Sequence, residues 1–203
     1  MSLRERKKLA AWWAIRAAAL RLFEERGFEA VSVEEIAAAA DVSRSTFFNY
    51  FASKEAVVFD PDPEERDHWQ ALMQARPANE PLWDSLTAIL IGFNERLRDR
   101  ILMQRRLRER SPALAQSSLN QSSWAIVDAQ FLADLRAWAA SRTPEGGATT
   151  AILQINLAAT AQATAYQTWP SGASFDDYLQ RLRRCLHQAR PGMAKGPTSV
   201  PDV

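Results

Sequence analysis

Apolar residues recur along most of the chain at steps of three and four, the spacing that lines one face of an α-helix, and no segment competes with a strand-like alternation. From Lys7 to Arg26, the residues Ile15, Ala18, Ala19, Leu22 and Phe23 form such a face, and Gly27 supplies the positive-φ position that ends a helix. A first helix is predicted there. In VSVEEIA, Ser32 stands three residues before Glu35 as in a capping box, with Val31 and Ile36 placed as a hydrophobic staple. A second helix therefore starts at Val33 and runs to about Ala40. Asp41 and Val42 lead into Ser43, a good N-cap, and aspartate tolerates the left-handed backbone of a tight turn. A short third helix is expected from Arg44 to Phe51.

The pattern changes after Phe59. DPDPEERDHW combines two prolines with acids, so a helix begun at Lys54 stops near Phe59 or is rebuilt after Pro63, which marks a domain boundary. A second break lies in PANEP, and Pro81 suits the first position of a new helix. Leu82, Leu86, Ile89, Leu90, Phe93 and Leu97 then trace one apolar stripe, and Trp124, Val127, Phe131, Leu135 and Trp138 trace a second after a helix start at Ser111. TPEGG and PSG delimit a helix over 148–169 and a last one carrying Phe175, Leu179, Leu182 and Leu186. The fold class expected is all-α, with a domain over 1–59, a helical bundle over 60–190 and a disordered tail over 191–203 rich in Pro, Gly and Ser.

Composition narrows the function more than the fold. With 203 residues, 47% of them apolar, the chain can bury a proper core. No apolar run reaches the roughly 18 residues of a membrane span, and the N-terminus lacks the apolar region of a signal peptide, so a cytoplasmic protein without a membrane partner is expected. One cysteine, Cys185, excludes an internal disulfide, and with only His68 and His187 beside it no metal cluster or cofactor is indicated. No nucleophile–base pair or phosphate loop marks an enzyme. The net charge of +1 means that affinity for nucleic acid must come from where charges sit, not from their sum.

Two short helices joined by a tight turn behind a longer one have the layout of a helix-turn-helix. In DVSRSTFFNYFASKE, Phe47 and Phe51 are four apart and would pack inward with Val42, Ile36 and Phe23, leaving Arg44, Ser45, Thr46, Asn49 and Tyr50 outward. That outward set suits DNA: arginine can pair bidentately with guanine and asparagine with adenine, while hydroxyls hold phosphates. Lys54, after the plausible cap Ser53, adds a cation. A small helical subdomain with a polar outer face is the alternative. The segment AALRLFEERGFEAVSVEEIAAAADVSRSTFFNYFASKEAVV resembles the DNA-binding domain of the TetR family of bacterial transcription regulators, over about a quarter of the chain. The resemblance implies base contacts from Arg44, Ser45 and Asn49, phosphate contacts from Ser43, Thr46, Tyr50 and Lys54, and a homodimer on a palindromic operator released by a small molecule. Two departures stand out. Phe48 replaces a usual tyrosine and cannot donate to phosphate, though it can touch a thymine methyl, and Trp12 and Trp13 occupy places that are often basic. Upstream, Arg4, Arg6, Lys7 and Lys8 are read as a flexible arm on phosphates or in a minor groove, the alternative being a solvated tail.

For the second domain the resemblance implies effector sensing and dimerisation. TTAILQINLAATAQATAYQTW is apolar on nearly every side and alanine-rich, so it and the last helix are the expected dimer interface; a core helix of a monomer is the alternative. A ligand pocket is sketched from Phe93, Asn94, Met103, Trp124, Asp128, Phe131, Asn156 and Thr160, aromatic stripes with isolated polar groups, against the alternative of ordinary core. The arginine-rich stretch from Arg96 to Arg110 suits an anionic effector such as an acyl-coenzyme A, DNA, or plain solvation. A helical small-molecule enzyme and a DNA-binding protein without an effector are the rival functions.

Overall fold

The computed structural model describes residues 2–116, 129–143 and 146–190. Among them there are eleven α-helices and no strand: α1 (Leu3–Arg26), α2 (Val33–Ala39), α3 (Arg44–Phe48), α4 (Ala56–Phe59), α5 (Glu65–Gln74), α6 (Leu82–Arg96), α7 (Arg98–Arg110), α8 (Pro112–Gln116), α9 (Ala129–Ala140), α10 (Ala148–Gln167) and α11 (Phe175–Ala189). The all-α class expected from periodicity is the observed one, and no helix among the described residues is long and apolar enough to cross a membrane. The tail over 191–203 lies outside the described residues.

The chain divides into two compact units that do not follow its order. One takes the residues up to Pro63 together with a stretch beginning at Asp99, which contains α7 and α8; the other takes Glu64–Arg98 with α9, α10 and α11. A break near residue 60 is visible in the prolines, but the return of α7 to the first unit is not. It returns because Leu107 and Leu114 are buried in the same cluster as Phe23, Val57, Val58 and Phe59. Hydrogen bonds fasten it: Gln104 Nε2 donates to the Val58 carbonyl at 2.8 Å, and Arg100 to the Phe59 carbonyl at 2.8 Å.

Within the first unit the local chemistry sets each boundary. Helix α1 starts at Leu3, not Lys7, because Ser2 and Glu5 form a reciprocal capping box, with the Ser2 N–H donating to the Glu5 carboxylate at 2.6 Å. Arg4, Arg6, Lys7 and Lys8 are therefore not a flexible arm; they are exposed residues of the first turns of α1. At the other end Gly27 has φ 87° and returns its N–H to the Phe23 carbonyl, which lets Phe28 fold back onto Phe23 with ring centroids 4.9 Å apart. Ser32 caps α2 as its spacing predicts, Asp41 takes the left-handed conformation at φ 55°, and Ser43 caps α3 by accepting from the Thr46 N–H.

The core of this unit is aromatic. Phe23, Ile36, Phe47 and Phe51 are fully buried, and Trp12 closes the cluster against Phe51 at 5.3 Å between ring centroids. Trp12 thus packs on the protein, whereas Trp13 is 40% exposed. Lys54 contributes from the edge: its ammonium lies over the Phe28 ring and donates to the Phe28 and Val31 carbonyls at 2.7 and 2.9 Å. Burial pulls its pKa below the ordinary lysine value.

In the second unit Asp134 on α9 gathers donors from α5, accepting from Arg66, Trp69 and Gln70 as well as from Gln130. Burial opposes its charge, but these hydrogen bonds outweigh that and hold the carboxyl well below its usual range. Helices α10 and α11 pack along one another, and Phe175, Leu179, Leu182 and Leu186 are buried as their stripe predicts.

Glu35 in its capping box and Lys54 on its two carbonyls each carry a stability prediction. The backbone N–H of Ser32, the Arg26 guanidinium and the Ser32 hydroxyl hold the Glu35 carboxyl at about 2, so its contribution is complete above about 4.5 and disappears as the pH falls through about 2. The denaturation midpoint of Glu35→Gln is expected below wild type at neutral pH, with the gap closing between about pH 4.5 and 2. Lys54→Met, which keeps the apolar stem and removes the ammonium, is expected to cost roughly 1–3 kcal/mol in urea unfolding without DNA, since two buried carbonyls lose a charged donor. An unchanged midpoint would remove the structural role assigned to this lysine.

Candidate nucleic-acid interface

A helix of five residues, α3, carries the site, and its two faces differ completely. Phe47 points into the core, joined by Phe51 just beyond the helix, while Ser43, Arg44, Ser45, Phe48 and Asn49 are exposed and Thr46 and Tyr50 half-buried. The helix is shorter than its expected span to Phe51. The Asn49 N–H reaches both the Ser45 and Thr46 carbonyls, a tightened last turn, yet the Phe51 N–H still bonds the Phe47 carbonyl at 3.0 Å, so both aromatic anchors keep helical spacing.

Each expected contact residue has a definite surrounding. The Ser43 hydroxyl lies 2.8 Å from both the Ser45 and Thr46 hydroxyls, a hydroxyl cluster at the start of α3. Arg44 donates from Nε to the Glu34 carboxylate at 2.7 Å and lays its guanidinium 4.9 Å from the centre of the Phe48 ring. Tyr50 packs partly against the apolar core. Lys54 was expected as a phosphate anchor, but two of its three N–H groups are engaged by carbonyls, which leaves one for any other acceptor. Ser53 accepts from the Ala56 N–H at 3.2 Å, consistent with its reading as a cap. Glu34 is the site residue that sequence reasoning missed: it stands ten positions before Arg44, and only the turn at Asp41 brings the two together.

The ligand-pocket candidates of the bundle separate. Phe93 and Phe131 stack face to face, with centroids 4.6 Å apart and planes 5° from parallel, and Trp69 meets both edge-on. Asn94 beside them is fully buried: it donates to the Leu90 carbonyl and to Gln162, and accepts from the Tyr178 hydroxyl at 2.7 Å. Gln162 and Tyr178 were absent from the expected set. Met103 does not join it, because Leu97 interrupts the helix and α7 carries Met103 onto the core of the first unit. Asn156 and Thr160 are exposed on α10, with the Thr160 hydroxyl donating back to the Asn156 carbonyl, so they do not line an interior site. Trp124 and Asp128 lie outside the described residues. The arginine strip is similarly divided: Arg98 pairs with Asp176, Arg105 with Glu109 and Arg106 with Glu24, while Arg108 lies over the Phe59 ring.

Comparison with known proteins bears on the first unit above all. Residues 15–60 match the family model described as bacterial regulatory proteins, tetR family. The chain is 33% identical over 125 residues to a candidate mycofactocin biosynthesis transcriptional regulator, MftR, of Mycobacterium tuberculosis, covering 57% of this chain and 60% of that one. It is 34% identical over 113 residues to the HTH-type transcriptional regulator TcmR of Streptomyces glaucescens, covering 51% and 50%. The matches thus span little more than half the length of these relatives. The fatty acid degradation regulator FadR of Bacillus halodurans shares the fold, with a TM-score of 0.53 at 16% identity over 92% of this chain and 97% of that one. A capped helix-turn-helix on an aromatic core and a matching family model over residues 15–60 make the first unit similar to the DNA-binding domain of bacterial regulatory proteins of the tetR family.

Proposed function

We propose that the protein is a one-component repressor: a cytoplasmic homodimer that binds a palindromic operator and is released when a small molecule enters its second unit. The observation that carries the reading is the division of α3, whose Phe47 is sealed in the core with Phe51 just beyond it while Arg44, Ser45 and Asn49 stand in solvent at a fixed register. In this reading Arg44 and Asn49 read base edges with Ser45, and Ser43, Thr46 and Tyr50 meet phosphates, with Lys54 offering its remaining N–H. Arg4, Arg6, Lys7 and Lys8 form a helical cationic patch that adds affinity for the backbone of any sequence.

Dimerisation is supported by α10. Its twenty residues carry no charge, and Ile152 and Leu153 stand 48% and 51% exposed, an apolar surface of the kind that associates. Pairing through α10 and α11 sets two recognition helices to read the two halves of a palindrome. Effector binding is supported by the Asn94–Gln162–Tyr178 cluster beside the aromatic stack, since the buried Gln162 amide nitrogen has no hydrogen-bond partner among the described residues. A small hydrophobic effector with one polar group suits that setting better than an acyl-coenzyme A on the arginine strip, whose members Arg98, Arg105 and Arg106 pair with carboxylates. Release then requires the ligand to prefer the conformation that cannot bind DNA, because equal affinity for both shifts nothing.

Selection of sequences from a random duplex pool at about 0.15 M salt, where exposed charges are largely screened, is expected to return a palindrome. Recovery of no motif would defeat the proposal. On the selected operator, Asn49→Ala should lose about 1–3 kcal/mol of discrimination at one base pair per half-site, read from competition with point-substituted duplexes. Leu153→Arg should shift the protein from dimer to monomer in sedimentation and weaken operator binding. A Leu153→Arg protein that remains dimeric would reject α10 as the interface.

A further inference from the structure

Phe48 is the one large apolar residue exposed on α3, 41% accessible among serines, an arginine and an asparagine. It is not a loose side chain. Its ring stands edge-on against the fully buried Phe47, with centroids 5.3 Å apart and planes at 83°, so the core fixes its orientation. On its other side lies the Arg44 guanidinium, one helical turn back and 4.9 Å from the ring centre. Arg44 is itself oriented, because Glu34 takes its Nε–H at 2.7 Å. Its terminal nitrogens make no hydrogen bond among the described residues.

These constraints act together. A guanidinium that lies over a ring and has given its Nε–H to a carboxylate keeps its terminal N–H pair for another acceptor, and that pair matches the O6 and N7 acceptors of guanine. The Glu34 carboxylate beside it disfavours approach to phosphate, which leaves a base edge as the fitting acceptor. The ring underneath has no polar atom, so the feature of the major groove it can match is the thymine methyl. The separation of 4.9 Å lies between one and two rises of roughly 3.4 Å between base pairs, so ring and guanidinium can reach neighbouring steps.

We propose that Arg44 and Phe48 form a single reading head for a G·C pair next to a pair whose thymine methyl contacts the Phe48 ring, and that the phenylalanine is a specificity determinant and not merely a lost phosphate anchor. The inference rests on the docking of α3 in the major groove proposed above. It predicts that each operator half-site contains adjacent guanine and thymine.

The test uses the full-length protein and the operator recovered from the random pool. Each thymine is replaced in turn by deoxyuridine, which removes only the 5-methyl group, and the affinity is measured by fluorescence anisotropy. One thymine per half-site is expected to weaken binding about fourfold when replaced, the amount that corresponds to one buried methyl-sized group. 7-Deazaguanine at the neighbouring position should weaken binding at least as much. Phe48→Ala should bind the thymine and deoxyuridine operators equally while keeping the wild-type salt slope, and Phe48→Leu should restore part of the methyl dependence. A palindrome at which no thymine-to-deoxyuridine change matters, or a Phe48→Ala protein that still distinguishes the two, overturns the reading head but leaves the regulator intact. Recovery of no motif at all overturns both.

Discussion

The burial of Phe47 and Phe51 is the interaction on which the DNA-facing surface depends. A helix of five residues cannot persist in water on its own, because nucleation costs more than so few hydrogen bonds return. Each of these rings, fully removed from solvent, is worth about 1.5–3 kcal/mol, more than a side-chain cap such as Ser43 supplies. The rest of the first unit can be understood as the container for those two rings. Phe23 and Ile36 bring α1 and α2 to them, Trp12 covers Phe51, and Gly27 and Asp41 turn the chain between the helices without obstructing the cluster. Because the buried rings determine most of where α3 lies, Arg44, Ser45 and Asn49 carry little packing duty and can be chosen for chemistry.

The same core reaches beyond the helix-turn-helix. Val57, Val58 and Phe59 on α4 are buried against Leu107 of α7 and Leu114 of α8, and their carbonyls receive Gln104 and Arg100. Ser111 adds a hydrogen bond to Glu29 in the turn that follows α1, and that bond is the leading cause of the lowered pKa of Glu29. So the unit that holds α3 is completed by residues about fifty positions later in the chain. A change at α7 therefore acts on the packing of α4 directly, through shared apolar contacts and two carbonyl hydrogen bonds, without any need for a long relay.

How much of this could be read from the residues depended on whether local chemistry alone settles the outcome. Caps and turns are local, so Ser32 with Glu35, Ser43, Asp41 and Gly27 all stand where their residue types indicate. The start of α1 was equally legible, since Ser2 and Glu5 have the same spacing as Ser32 and Glu35, but the adjacent run of basic residues suggested an arm. The misplaced pocket residues have a different cause. Along α10 apolar and small residues occur on every side, so the pattern has no phase, and only packing against α6 and α11 shows that Gln162 turns inward while Asn156 and Thr160 turn out. Met103 departs from the stripe because the break at Leu97 resets the helical register between α6 and α7. Lys54 illustrates a further limit. Its ammonium finds the Phe28 and Val31 carbonyls, and the positions of backbone acceptors 23 and 26 residues away are not written in any pattern of side chains.

Charge bears on how the proposed operator would be told apart from other DNA. The chain is close to neutral, with 25 basic and 24 acidic residues, and in the first unit much of the positive charge faces a carboxylate: Arg16 with Asp62, Arg26 with Glu35, Arg44 with Glu34 and Arg106 with Glu24. Neutralising phosphates by displacing counterions is the main source of affinity for arbitrary DNA, and a cation already paired contributes less to it. What remains is the exposed basic start of α1 and the polar face of α3. A regulator with weak attraction to arbitrary sequence needs fewer specific contacts to separate its operator from the surrounding DNA, because the quantity that matters is the ratio of the two affinities. In the proposed docking of α3 the Glu34–Arg44 pair serves that ratio from both sides, since the carboxylate that repels phosphate also orients the guanidinium.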